Sequence, residues 1–389
     1  MPDSFRPHAE HILSFARTLK GGGVERSMLR LARGWIEAGR RVTLVIGDAS
    51  GPLAAEIPPG ATVEVIGSPL LLKLMTALPG VIRTHSPDLI FCPGSWATST
   101  AAFARLRLNG ETPPIVGKIS NALDRSDLGP FVNWGNGYWQ RFHPFFLDHV
   151  VAMTRASAVE AVDVMRMPAH RISVIANAPS RAEPDALPPV LPDRPFILGL
   201  GRLEPQKRWD RLIDAMPQIA RRDVGLLILG EGSLRSTLEA RVRALDLHDR
   251  VVLAGHSGNV FPAIAAAQVV ALTSDFEGVP AALRESLEAG TPVVSTDSSV
   301  AISEIIDSPT RGTIVPLEDG AALVRALDHW LEPGRRRPVP VPQPGLTSIA
   351  DYLALFDRIV ARRCRGNIPV AVHAPPPLAA QPVLSAIDS

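Results

Sequence analysis

Two glutamates lie eight positions apart where a loop gives way to a predicted helix. Glu277 precedes Gly278 and Pro280, which break regular structure, while residues 281–289 have a helical composition and carry Glu285 in their second turn. The free N–H groups and the positive dipole of a helix N-terminus favour an anionic ligand such as a diphosphate. Carboxylates beside such a ligand would repel it, so we expect both glutamates to accept hydrogen bonds from sugar or ribose hydroxyls.

A basic turn upstream supplies the positive charge that a diphosphate requires. Residues 196–200 are predicted to form a buried strand, and the turn after it carries Arg202 and Lys207. A planar guanidinium can bind two phosphate oxygens, and a lysine adds a compact second charge. A solvated basic turn without a ligand is the alternative interpretation.

Two glycine-rich turns follow predicted strands, but neither has the spacing of a dinucleotide-binding loop. The third glycine of the G-x-G-x-x-G pattern is replaced by Glu204 in the run from Gly199 and by Arg235 in the run from Gly230. This departure argues against a nicotinamide-dependent enzyme.

In their order and spacing these motifs resemble the retaining, nucleotide-sugar-dependent glycosyltransferases of family four, which have the two-domain GT-B fold. The resemblance covers roughly residues 10–360 and is strongest from Phe196 to Pro316. The matching segments are Gly21–Arg26, Val174–Pro179, Gly201–Lys207, Gly230–Gly232, Glu277–Glu285, Gly290–Asp297, Glu304–Ile306 and Gly312–Pro316.

The resemblance implies a role for each donor-side residue. Arg202 and Lys207 would contact the donor diphosphate, Glu277 would hold hydroxyls of the transferred sugar at the catalytic centre, and Glu285 would bind the ribose. The backbone of the following segment would lie beside the donor: Gly278, Val279, Pro280 and Ala281. Here the common family form E-G-F-G-L-P is replaced by Glu-Gly-Val-Pro-Ala-Ala.

Alternating strand and helix patterns predict an α/β protein with two Rossmann-like, doubly wound parallel-sheet domains that face each other across a cleft. In the first half, we expect strands at residues 11–15, 41–47, 62–66, 88–92, 115–119, 149–153 and 172–175. Apolar residues at helical spacing after the first strand (Val24, Met28, Leu31 and Trp35) predict a helix that packs on the sheet.

The domain boundary is predicted at residues 181–195, which contain five prolines. We expect the first domain, on the acceptor side, at residues 1–185 and the nucleotide-sugar-binding domain at 190–335. A helix over residues 346–363 should pack back on the first domain. Residues 365–389 are predicted to be a Pro-rich disordered tail.

Two features of the first half are candidates for the acceptor side of the cleft. Gly21, Gly22 and Gly23 follow the first strand, where missing side chains would let a phosphate or an acceptor approach the backbone. A plain flexible turn is the alternative. Asn121, after Ser120, ends a predicted strand, although such residues also simply terminate strands.

Residues 131–146 contain seven of the chain's 20 aromatic residues. Aromatic side chains at this density can stack on sugars, lie at a membrane interface or fill the core beneath a loop, and we expect the last. Arg105, Arg107 and Arg141 form a sparse basic set nearby, which could meet anionic lipid or be ordinary surface.

Composition limits the classes of protein and partner. The 389 residues include 40 basic and 39 acidic side chains, so the net charge of +1 gives no indication of nucleic-acid binding. Cys92 and Cys364 provide neither a disulfide framework nor metal-ligand spacing, which suits a reducing cytoplasm. No apolar run reaches the roughly 18 residues of a spanning helix. We therefore expect a cytoplasmic protein, with peripheral contact at the inner membrane face as a further possibility.

The sequence thus predicts a glycosyltransferase that moves a hexosyl or N-acetylhexosaminyl group from a nucleoside diphosphate sugar, in UDP or GDP form, to a glycan or lipid-linked acceptor with retention of configuration. No Asp-x-Asp motif follows a strand, so we expect no metal ion and no cofactor besides the donor. A nucleotide-sugar epimerase and a catalytically silent glycan-binding protein are the alternatives. The base, the sugar and the acceptor stay open.

Overall fold

Two parallel sheets organise the computed structural model, which describes residues 8–123, 129–180 and 186–364. The strands of the first sheet are β1 (His11–Thr18), β2 (Arg41–Asp48), β3 (Thr62–Val65), β4 (Leu89–Cys92), β5 (Ile115–Lys118), β6 (His149–Ala152) and β7 (Ile172–Val174). Their order is β3-β2-β1-β4-β5-β6-β7, and every pairing is parallel. The order reverses between β1 and β4, and open α/β sheets bind ligands at such a point, beyond the carboxyl ends of the strands.

The second sheet repeats this arrangement with six strands. They are β8 (Phe196–Leu200), β9 (Gly225–Leu229), β10 (Val251–Gly255), β11 (Val269–Leu272), β12 (Val293–Thr296) and β13 (Gly312–Val315). Their order is β10-β9-β8-β11-β12-β13, again with parallel pairing throughout. The predicted fold of two doubly wound parallel sheets is confirmed.

Helices connect the strands and flank the sheets. In the first half they are α1 (Gly23–Glu37), α2 (Leu71–His85), α3 (Ala97–Leu108), α4 (Pro130–Gln140), α5 (His143–Phe146) and α6 (Arg155–Met165). In the second half they are α7 (Trp209–Ala215), α8 (Arg235–Ala244), α9 (Phe261–Ala266), α10 (Ala281–Glu288), α11 (Ile302–Ile305), α12 (Gly320–Leu331) and α13 (Ser348–Cys364).

Each sheet is buried on both faces, as the nearly continuous apolar composition of its strands requires. In β1, for example, Ile12 belongs to one hydrophobic cluster and the adjacent Leu13 to the cluster on the opposite face. The strands are thereby held between helices, and the loops at their carboxyl ends are left to form the cleft.

The last helix, α13, packs on the core of the first sheet. Trp35 of α1 makes ring contacts with Tyr352 and Phe356 at centroid distances of 6.1 and 5.3 Å. Asp357 forms a 2.8 Å ion pair with Arg40. Aromatic packing and a charge pair thus fix the end of the described chain beside α1.

Several sequence predictions concern residues outside the described part of the chain. These are residues 1–7, 124–128, the beginning of the proposed boundary (181–185) and the tail (365–389). Among the residues that are described, no helix combines the length and the hydropathy needed to cross a membrane.

Lys118, the last residue of β5, is a buried cation beside α1. Its Nζ donates to Ser27 Oγ in α1 at 2.8 Å and to Asn177 Oδ1, after β7, at 2.6 Å. Both partners are neutral, and burial lowers the pKa of Lys118 to about 7. This side chain therefore ties α1, β5 and the segment that leaves the first sheet together without an opposite charge.

We expect Lys118 to make stability rise with pH above neutrality. Between the folded pKa of about 7 and the unfolded value of about 10.4, the unfolded chain binds a proton that the folded chain lacks. The free energy of unfolding should therefore increase through this window by at most about 1.4 kcal/mol per pH unit. Thermal unfolding should be measured from pH 7 to about pH 9.5. The free energy of unfolding should increase less with pH for Lys118→Met than for the parent.

Lys73→Met, which changes an exposed lysine, is the matched control and should keep the parent's dependence on pH. Equal pH dependence in the parent and in Lys118→Met would contradict the assignment.

Candidate active site

The loops at the carboxyl ends of the two sheets meet in a close backbone contact. Ala122 N–H donates to Glu277 O at 3.1 Å. A Cβ on Gly278 would lie 2.1 Å from Ser120 O and 3.2 Å from Asn121 Cα, so only glycine allows this approach. Asn121, the candidate acceptor-side residue, therefore lies directly against the segment predicted to hold the donor.

Glu277 is anchored through its backbone and through one carboxylate oxygen. Its N–H donates to Ser298 O, just after β12, at 2.8 Å. Oε1 accepts hydrogen bonds from Lys207 Nζ at 2.5 Å and from Ser274 Oγ at 2.6 Å. Oε2 accepts none from the described residues, and the side chain keeps 10% exposure. One oxygen is thus positioned by the protein while the other is left for a ligand hydroxyl.

The turn after β8 presents its two cations differently. Lys207 is held against Glu277, a pairing across 70 positions that neither motif predicted, and two of its three N–H donors remain for other acceptors. Arg202 is exposed, and within the described ranges its guanidinium has no ion-pair partner. Its carbonyl accepts from Trp209 Nε1 at 2.9 Å, which fixes the backbone beneath it.

The two glycine-rich turns serve close backbone packing. A Cβ on Gly230 would lie 1.9 Å from Gly201 O, so the turns after β8 and β9 touch only because residue 230 has no side chain. Leu203 N–H donates to Glu231 O at 2.8 Å across the same contact. The turn after β9 therefore packs against the turn after β8, which carries Arg202.

The start of α10 offers three backbone donors. The N–H groups of Gly278, Val279 and Ala281 make no hydrogen bond to any residue that the structure describes. Pro280, at the N-cap, has no N–H group and no capping side chain. Unpaired N–H groups at a helix start attract anions, so a phosphate would fit here.

Glu285 lies one turn into α10 and is buried. The Ser180 side chain lies beside its carboxyl, and Ser180 Oγ accepts from Arg30 Nη1 at 3.0 Å. Burial raises the pKa of Glu285, while the Ser180 hydroxyl and the charge of Arg30 act in the opposite direction. The carboxyl thus faces the segment after β7, and its assignment to the ribose stays a prediction.

The predicted glycine loop is one residue shorter than expected, because Gly23 is already the first residue of α1. Gly21 has a φ of 116°, which favours glycine, whereas Gly22 precedes the helix with extended backbone. The loop lies at the carboxyl end of β1, the edge at which the sequence predicts the cleft.

Glu25, in the first turn of α1, is a cleft residue to which the sequence assigned no role. Burial raises its pKa, and the nearby charges of Arg202 and Arg17 partly offset that effect. Its position just after the glycine loop is the sequence feature that could have indicated its place in the cleft. Glu25 and Arg202 together bring opposite charges to the two sides of the cleft.

The described side chains do not form a cluster of metal ligands. Nowhere in the described ranges do three or more His, Cys, Asp or Glu side chains lie close enough to hold a metal ion. A donor diphosphate could itself supply oxygen ligands. Metal independence therefore stays a prediction.

Comparison with known proteins gives matches in both halves of the chain. Residues 21–179 match the family described as "Glycosyltransferase Family 4", and residues 194–333 match "Glycosyl transferases group 1". The Campylobacter jejuni N-acetylgalactosamine-N,N'-diacetylbacillosaminyl-diphospho-undecaprenol 4-alpha-N-acetylgalactosaminyltransferase is 33% identical over 142 residues. That alignment covers 36% of this chain and 39% of the relative, so it spans less than half of either protein.

A longer sequence alignment and a structural alignment extend the comparison. The lipopolysaccharide 1,6-galactosyltransferase of Escherichia coli is 25% identical over 263 residues, covering 67% of this chain and 70% of that protein. The structure of Anabaena HepE in complex with UDP-glucose aligns with 91% of this chain and 98% of its own, at 18% identity and a TM-score of 0.66. The two-sheet arrangement is the GT-B fold, and the two family matches together span more than half of the sequence. The chain therefore belongs to the group 1, family 4 glycosyltransferases.

Proposed function

We propose that the protein transfers a hexosyl or N-acetylhexosaminyl group from a nucleoside diphosphate sugar to a glycan or lipid-linked acceptor, with retention of anomeric configuration. The arrangement around Glu277 carries the proposal. Its carboxylate has one oxygen fixed by Lys207 and Ser274, while the other oxygen and the N–H groups of Gly278, Val279 and Ala281 have no partner among the described residues. A hydroxyl-accepting group next to an anion site matches a sugar joined to a diphosphate.

The diphosphate would lie between the start of α10 and the turn after β8. The N–H groups of Gly278, Val279 and Ala281 would donate to its oxygens, and Arg202 would add an unpaired charge. Lys207 would bridge Glu277 and a phosphate oxygen, since its ammonium has donors to spare. These groups would stabilise the charge that develops on the leaving diphosphate.

The two glutamates would bind the transferred sugar and the ribose of the donor. Oε2 of Glu277 would accept from a hydroxyl of the transferred sugar. Glu285 would accept from the ribose, whose hydroxyls would take the place of Ser180 as its partner. Charged contacts of this kind orient the sugar before reaction.

The acceptor would approach from the first sheet, where Asn121 and the glycine loop at Gly21–Gly23 border the cleft. Its hydroxyl oxygen would bond to the anomeric carbon on the face from which the diphosphate leaves, and the hydroxyl proton would pass to a phosphate oxygen. Bond formation on that face accounts for retention without a covalent carboxylate intermediate, which matches the anchoring of Glu277 by Lys207.

Substrates in the names of similar proteins agree with this proposal. The C. jejuni relative is named for transfer to a diphospho-undecaprenol-linked glycan, and the E. coli relative for lipopolysaccharide. HepE was crystallised with UDP-glucose. We therefore favour a nucleotide-sugar donor in UDP or GDP form and an acceptor in polysaccharide or glycolipid synthesis, at the cytoplasmic side of a membrane.

The two glutamates should differ in which step they serve. Glu277→Gln should leave binding of the free nucleoside diphosphate unchanged but lower kcat and kcat/KM together, by roughly 100-fold, because the amide removes a charged acceptor from the reacting sugar. Glu285→Gln should weaken the free diphosphate and the intact donor alike. Calorimetric titration and steady-state transfer assays on both variants measure this division.

Each glutamate variant is the control for the other, because both changes keep side-chain size. Equal loss of free-diphosphate binding in the two variants would abolish the proposed division of roles. Full activity in both variants would remove Glu277 from the catalytic centre. Hydrolysis or epimerisation of the sugar at full rate without any acceptor would replace the transferase proposal with the epimerase alternative.

Metal dependence can be tested separately. Exhaustive treatment with EDTA should leave transfer nearly intact, because Arg202, Lys207 and the α10 N–H groups already complement the leaving diphosphate. The measurement is the initial rate before and after chelation, with added Mg²⁺ and Mn²⁺ as controls. Complete loss that either ion restores would show that a cation shares this task.

A further inference from the structure

Five aromatic side chains on α4, on α5 and in the turn between these helices project into solvent. They are Phe131, Trp134, Tyr138, Phe142 and Phe145, here called the aromatic surface, with exposed fractions of 88, 73, 54, 41 and 81%. In the described residues, every other large exposed hydrophobic side chain is aliphatic except Trp139, which belongs to the same segment. The prediction that residues 131–146 fill the core is thus wrong for most of them, although Phe146 is buried.

The aromatic surface contains a chain of ring contacts from Trp134 to Phe145, and Phe131 lies one helical turn before it. Its members follow at spacings of three, four, four and three residues, which places them along one side of successive helical turns. Ring centroids of Trp134 and Tyr138 are 5.9 Å apart, those of Tyr138 and Phe142 are 5.4 Å apart, and those of Phe142 and Phe145 are 6.2 Å apart. Contiguous apolar surface of this kind marks an interaction site in a water-soluble fold.

The segment that carries the aromatic surface is itself basic, although acidic residues flank it: Asp148 follows α5, and Glu160 and Asp163 lie on α6, which packs against α4. Residues 129–147 contain no aspartate or glutamate, and Arg141 is exposed among the aromatic side chains. The neighbouring helix α3 exposes Leu106 and Arg107 at its end. Tryptophan and tyrosine favour the boundary between water and hydrocarbon, and arginine favours anionic headgroups, so this composition matches an anionic lipid surface.

The aromatic surface also adjoins the acceptor side of the cleft. Asn136, on α4, donates from Nδ2 to Leu123 O at 3.0 Å. The preceding residue, Ala122, donates to Glu277 O. One short segment thus connects the helix that carries the aromatic side chains to the backbone of Glu277, whose carboxylate is assigned to the transferred sugar.

We propose that the aromatic surface docks the protein on an anionic lipid bilayer, so that a lipid-linked acceptor reaches the cleft from the side of Asn121. The acceptor part of this inference rests on the proposed function. Docking itself rests on the exposed rings and on Arg141, which lies exposed among them. The side chains would enter the headgroup region to the depth of their rings, and Arg141 would contact lipid phosphates.

Vesicle co-sedimentation of the full chain tests the proposal without a donor or an acceptor. The vesicles contain phosphatidylcholine alone or with about one third phosphatidylglycerol. We expect the parent to partition to the anionic vesicles and to be released by added salt. Trp134→Ser/Phe145→Ser should partition roughly tenfold less, because two large apolar groups no longer enter the interface.

Leu187→Ser/Leu346→Ser is the matched control, since these leucines are 84 and 81% exposed and lie outside the aromatic surface. It should partition like the parent. The proposal fails if the parent ignores anionic vesicles, or if the aromatic double variant partitions as the parent does. It fails too if size-exclusion chromatography shows that the aromatic residues hold two copies of the chain together and the lipid effect is absent.

The outcome is separable from that of the proposed function. Nucleoside diphosphate binding by the aromatic double variant should equal that of the parent, which also shows that the variant is folded. A parent that binds vesicles but no nucleotide would overturn the transferase proposal and leave the docking surface standing. The reverse result would overturn only the docking surface.

Discussion

The site depends on the close approach of Gly278 to the backbone of Ser120 and Asn121. No side chain larger than hydrogen fits there, since a Cβ would lie 2.1 Å from Ser120 O. The hydrogen bond from Ala122 to Glu277 O then fixes the peptide whose side chain meets Lys207. Because the contact joins loops from both sheets, it sets the distance between the donor side and the acceptor side of the cleft.

Buried charge links this contact to the rest of the first half of the chain. Lys118 holds α1 to the segment after β7 through Ser27 and Asn177. Glu285 reaches the end of the same segment through Ser180. Burying ionisable groups costs stability, which proteins tend to accept where geometry matters to function. The contacts that join the loops of the two sheets at the cleft are polar, namely the hydrogen bond from Ala122 to Glu277 O and the approach of Glu285 to Ser180.

Sequence reasoning predicted most of the fold because its signals are local. The period of buried strands, the proline before α10 and the glycine after it located these elements to within one or a few residues. Side-chain pairings between distant segments are not local. Lys207 lies 70 positions from Glu277, and nothing in either motif indicates that they pair. Glu25 was missed for the same reason, because its neighbour Arg202 is distant in sequence.

The aromatic segment was misjudged for a different physical reason. Aromatic density predicts burial, yet the spacing from Phe131 to Phe145 follows one helical side and already indicated a continuous surface. Density cannot show whether another element covers that side, whereas the packing in the structure does. The missed pairings and the misjudged aromatic segment have one cause. A sequence pattern does not show which residues pack against a given side chain.

The most direct test of the central claim, a diphosphate held by the turn after β8 and the start of α10, is calorimetric titration of UDP and GDP into three proteins. The parent should bind one of the two nucleotides, and Arg202→Ala should bind it roughly tenfold to a hundredfold more weakly, since a charge-assisted hydrogen bond contributes about 1.5–3 kcal/mol. Arg325→Ala, at an arginine on α12 with 71% side-chain exposure, should match the parent. Equal affinity in all three proteins, or no binding of either nucleotide by the parent, would contradict the account.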